Sequence, residues 1–122
     1  MESTVLNLIK FQNQLRILHW QTGSFAKHKA FGKTYEDLDG LIDDMVEAYS
    51  GKYHKLVLKP GTSIDLVNID ELNVEDVLKE VTEYLSTTGV KELNPEKDTD
   101  LLNIRDEILT VVNRLKYLLT LK

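Results

Sequence analysis

The amino-acid sequence predicts an all-α fold, a single domain over residues 1–122 built as a bundle of four helices. Three observations predict it. Apolar residues recur at steps of three and four in four separate segments. Within one of them Tyr35, Leu38, Ile42, Met45 and Tyr49 follow a 3-4-3-4 spacing, the seam of helices packed nearly parallel or antiparallel. The chain has only two prolines, Pro60 and Pro95, and both fall between the periodic segments.

The first helix is predicted from Thr4 to Thr22, with Leu8, Phe11, Leu15 and Leu18 on one face. Val5, Ile9, Ile17 and Trp20 broaden that stripe, so contact with more than one neighbour is expected, with Trp20 in the core. Gly23–Ser24 ends the helix. The second helix runs from Phe25 to Ser50, and Gly51 is placed to cap it, since glycine tolerates the left-handed conformation.

Between Lys52 and Ile69 the periodicity fails around Pro60–Gly61. This is read as a long crossover: roughly 18 residues at about 3.3 Å each can travel the length of a bundle, which lets the next helix run parallel to the second. Asn73 is the expected N-cap of a third helix, Val74–Ser86, with Glu75 and Asp76 at its positive end. Val74, Val77, Leu78, Val81 and Leu85 form its buried face. After Gly89 and Asn94–Pro95, a fourth helix starts near Asp98 or Asp100 and reaches Leu121, burying Leu101, Ile104, Ile108, Val111, Leu115 and Leu118.

Composition narrows the function classes. With 42% hydrophobic residues the chain can fill one modest core. There is no cysteine, so neither a disulfide framework nor thiol chemistry is expected, and a cytoplasmic location is the default. The first twenty residues lack a basic segment followed by an apolar one, and no apolar run is long enough to span a membrane. Twenty acidic residues against 15 basic ones give a formal charge of −5, which argues against nucleic acid as a partner. The basic group Lys52, His54, Lys55 and Lys59 reads as a solvated loop.

Three features can carry chemistry: His19–Trp20 at the end of the first helix, His28 at the start of the second, and the acids Glu36, Asp39, Asp43 and Glu47 within it. Asp39, Asp43 and Glu47 stand at i, i+4 and i+8, which stacks carboxylates about 6 Å apart on one face, where a cation relieves their repulsion. An exposed acidic face is the plainer reading of the same row. On one continuous helix His28 and Asp43 are about 22 Å apart, so one chain cannot bring both to one ion. Two chains whose second helices cross antiparallel can.

Residues 18–51, LHWQTGSFAKHKAFGKTYEDLDGLIDDMVEAYSG, resemble the core motif of the Dps-like mini-ferritins. The matching positions are His19–Trp20, Gly23, Phe25, His28, and Asp43 with Glu47. The resemblance implies a ferritin-like four-helix bundle and a ferroxidase centre between subunits, histidines from one chain and Asp and Glu from the other. His19, His28, Asp43 and Glu47 would then be iron ligands, with Trp20 and Asp39 next to the site. It further implies Fe(II) oxidation by peroxide or oxygen, iron storage, and a homo-oligomer, at least a dimer and in the family a hollow shell of twelve subunits.

This chain departs from the pattern in four ways. Gly32 stands where the family usually carries an acidic ligand one turn after the second His, and the His19–His28 interval is shorter than usual. The chain and its third helix are also short, and MESTVLNL lacks the lysine-rich tail with which some members bind DNA, so DNA protection is not implied.

Two other functions fit parts of the sequence. One is a non-enzymatic assembly or adaptor module on the same bundle. The other is an all-α nucleoside-triphosphate pyrophosphohydrolase, with Mg²⁺ held by the acids of the second helix and by Glu80 and Glu83 of the third. No glycine-rich phosphate loop, nucleophile elbow or paired Glu-x-x-His motif is present.

Overall fold

Four α-helices carry the structure, a computed structural model describing residues 1–122: α1 (Glu2–Gln21), α2 (Phe25–Lys52), α3 (Val74–Ser86) and α4 (Thr99–Leu118). Single turns of 3₁₀ helix at Ile69–Glu71 and Thr88–Val90 flank α3, and there is no strand. The expected helix boundaries hold to within about three residues.

Local chemistry explains where the helices begin. The Ser24 hydroxyl accepts from the Lys27 amide, and the Asn73 carboxamide accepts from the Asp76 amide at 3.0 Å, so each satisfies an otherwise free amide in its first turn. The end of α2 corrects the sequence reading. Gly51 is not a cap: the helix continues through it to Lys52, and Tyr53, whose amide still bonds the Tyr49 carbonyl, ends it. Only Gly61 has a positive φ. The two extra residues follow from Lys52 and Tyr53 both reaching Asp98 at the start of α4, which holds the chain helical up to that anchor.

Hydrogen bonds fix the helix directions. Gln12 reaches Tyr35 and Asp39, and His19 reaches His28, so α1 and α2 are antiparallel. Lys52 meets Asp100 and Asp37 meets Arg114, so α2 and α4 are antiparallel too. Thr4 donates to the Gly89 carbonyl, while Gln21 bonds Asn68 and Ile69 just ahead of α3, so α3 runs opposite to α1 and therefore parallel to α2. The long connection thus crosses the length of the bundle.

Its path is pinned at two places. Pro60 and Gly61 form the centre of a turn closed by the Thr62 amide on the Lys59 carbonyl, and Gly61 supplies the φ of +78° that this turn demands. Farther on, the buried Gln14 carboxamide donates to the Val67 carbonyl at 2.8 Å and accepts from the Val67 amide at 3.0 Å, as a neighbouring strand would.

The core comprises the expected Val5, Leu8, Phe11, Leu15 and Leu18 of α1, Leu38, Ile42, Met45 and Tyr49 of α2, Leu78, Val81 and Leu85 of α3, and Leu101, Ile108, Val111 and Leu115 of α4. Phe31, Ala30 and Val112 join it without having been anticipated. Trp20 does not: it is 65% exposed. It lies two residues beyond Leu18, about 200° around the helix, and no element packs on that side. No helix is long and apolar enough to cross a membrane.

Candidate functional site

The α1–α2 corner brings His19 and His28 together. With only Thr22, Gly23 and Ser24 between the helices, the two imidazoles stack with ring centroids 3.8 Å apart and planes 13° from parallel. Each ring bonds the other residue's backbone: His19 Nδ1 donates to the His28 carbonyl at 2.6 Å, and His28 Nδ1 donates to the His19 carbonyl at 2.7 Å. A carbonyl can only accept, so both Nδ1 atoms carry the proton. Neither Nε2 has a hydrogen-bonding partner within the chain. Backbone-bonded Nδ1 with free Nε2 is the arrangement in which histidine ligates metals.

Gly32 is part of this corner. A Cβ at Gly32 would stand 2.8 Å from Cε1 and 2.9 Å from Nδ1 of His19, closer than carbon and nitrogen approach without bonding. The His19 ring thus fills the place that a side chain at position 32 would need. Phe25, 74% exposed, lies with its ring 6.2 Å from that of His28, and Lys29 reaches over its other side. Trp20, the residue after His19, is exposed as well.

The carboxylates are elsewhere. α2 is one unbroken helix, so Asp43 and Glu47 sit about 22 Å or more from His28 along its axis. Both are exposed and unpaired, as is Glu36. Asp39 is held by Gln12, whose carboxamide donates to it at 3.0 Å, and the guanidinium of Arg16 lies 4.2 Å from the centre of the Tyr35 ring nearby. No three His, Asp or Glu side chains of one chain are grouped to hold a metal ion. In particular, the acids of α2 are not gathered with Glu80 and Glu83 of α3.

A second polar cluster centres on Asp98, of which the sequence marks only the place at the start of α4. Asp98 is 1% exposed and accepts from the Tyr53 hydroxyl, from the Asn94 amide at 2.7 Å and from Lys52 Nζ at 3.0 Å. These bonds, the Tyr53 hydroxyl first and then the Asn94 amide, hold its carboxyl at a pKa of about 2. Lys52 is pushed up by its bonds to Asp100 and Asp98, and the Tyr53 phenol is pushed up by its bond to Asp98. Lys52, although exposed, is thus tied to α4 by its ion pairs, whereas His54, Lys55 and Lys59 are exposed and enter none. The cluster ties the end of α2 to α4, and its bonds are all accounted for within the chain, which marks it as structural.

No curated protein and no solved structure matches the chain. The model of a family described as a family of unknown function, DUF5856, matches residues 19–119, from the first histidine of the corner to the end of α4. That span includes both histidines, the acidic row and the crossover, and the chain belongs to the DUF5856 family.

Proposed function

We propose that this chain is a Dps-like, ferritin-like iron-binding protein whose metal site is completed between two copies. The observation that carries the reading is the histidine pair, with both Nδ1 protons committed to backbone carbonyls and both Nε2 atoms free. A second copy packed antiparallel on α2 would bring its Asp43 and Glu47 to His19 and His28. It would also cover Trp20 and Phe25, aromatic surface of the kind enriched at subunit contacts. The parallel α2 and α3 joined by one long crossover support the ferritin-like comparison.

In this reading Fe(II) is the substrate. The histidines would supply two nitrogens, Asp43 and Glu47 would supply anionic oxygen, and peroxide or oxygen would accept the electron from Fe(II). Crystals grown with Fe(II) or Zn(II) test the site directly. Anomalous peaks between His28 of one subunit and Asp43 and Glu47 of the next are expected, and their absence at millimolar metal would sink the proposal. A monomer by light scattering would defeat it as well.

A second reading has its own observation. Stacking and reciprocal carbonyl bonds make the histidine pair a self-sufficient clasp over Gly32, which suits an assembly or adaptor module that keeps the bundle without iron chemistry. It predicts weak or no Fe(II) binding by the parent protein and unaltered assembly when His28 and Asp43 are replaced.

A further inference from the structure

The flank between α1 and α3 is hollow, away from the α1–α2 corner and independent of what happens there. A cavity of about 420 Å³ lies where the two helices diverge, closed on one side by the crossover at Asp65 and Val67. Phe11, Leu72, Val77 and Val81 give it apolar walls, and the Gln14–Val67 amide pairing holds its edge in place. Its size lies within the range of small-molecule sites.

Polar groups surround these walls without being used by the fold. Asp65, Glu80 and Lys10 line the cavity, and none of them enters any of the chain's ion pairs. Tyr84 adds a hydroxyl with no partner in the chain. Two carboxylates against one ammonium leave the lining net negative, so a cation is attracted and an anion repelled. Apolar walls require the rest of the ligand to be hydrocarbon.

We infer that this cavity binds a small organic cation, an amine on an aryl or alkyl body, with its ammonium on Asp65 and Glu80 and its body against Phe11, Val77 and Val81. Lys10 disfavours a second positive charge and so selects monoamines over polyamines.

The test is an amide NMR titration of the full chain with three probes of one shape: 3-phenylpropylamine, 3-phenylpropanol and 3-phenylpropionate. The amine should give saturable shifts at Leu72, Val77 and Val81 and bind about tenfold more tightly than the alcohol. The double variant Asp65→Asn, Glu80→Gln should erase that preference without changing the melting temperature, since neither residue is paired in the fold. Lys10→Met should strengthen the amine. Equal binding of the three probes, preference for the carboxylate, amine shifts confined to the acidic row of α2, or no binding below about 10 mM would overturn the assignment.

Discussion

The imidazole of His19 lies against the bare Cα of Gly32, one helix using the other's missing side chain as its seat. The contact decides what position 32 can tolerate. Alanine is the better helix former by about 1 kcal/mol. Against that stand two hydrogen bonds of about 1 kcal/mol each and a stacked ring pair, which a displaced His19 would lose. Gly32→Ala should therefore destabilise the protein by about 2 kcal/mol in urea. Trp20, the chain's one tryptophan, should report the disturbed corner by fluorescence. A variant more stable than the parent would show that the corner is not locked.

Asp98 makes stability depend on acid. Its folded pKa of about 2 lies below its ordinary value of 3.8, so the unfolded chain binds this proton first on acidification. The carboxylate's contribution is complete above about pH 4 and disappears as the pH falls through about 2. Asp98→Asn should lower the melting temperature at pH 7 and flatten its decline between pH 4 and 2. An unaltered acid profile would assign the transition to other carboxylates.

Gln14 fastens the crossover. Replacing it with leucine keeps the volume but leaves the Val67 amide and carbonyl without their partner. A loss of about 1–3 kcal/mol is expected. Hydrogen exchange should quicken over residues 63–68, whereas equal exchange in both proteins would mean that the segment is held by other contacts.

Asn73→Ala should cost about 1 kcal/mol, because the Asp76 amide loses its acceptor at the start of the short helix α3. Helical circular dichroism should fall slightly before the main thermal transition. Asn73→Asp, which preserves the cap, should retain the parental stability.

The helices were legible because apolar side chains at steps of three and four have few other ways to leave water. Leu38, Ile42 and Met45 show it most plainly, since their spacing and their burial agree. Trp20 was misplaced because periodicity records which side of a helix is apolar and not whether another element reaches that side. Asp98, Gln12 and Gln14 escaped for a related reason: a buried polar residue has no periodic mark, and its role depends on distant partners. The histidines were legible as chemistry, but their mutual stacking required the three-residue corner to be built. An Asp following Asn94–Pro95 at a helix start was the available sign for Asp98, since short polar side chains there commonly bond nearby amides.

The crossover also makes the polypeptide divisible. It separates two antiparallel hairpins, α1 with α2 and α3 with α4, and between Leu58 and Leu66 its backbone is bonded only within its own turn. Covalent continuity at exposed Lys59 is thus not what packs the core: a chain cut there should stay together as two complementary halves, with an association that becomes concentration-dependent.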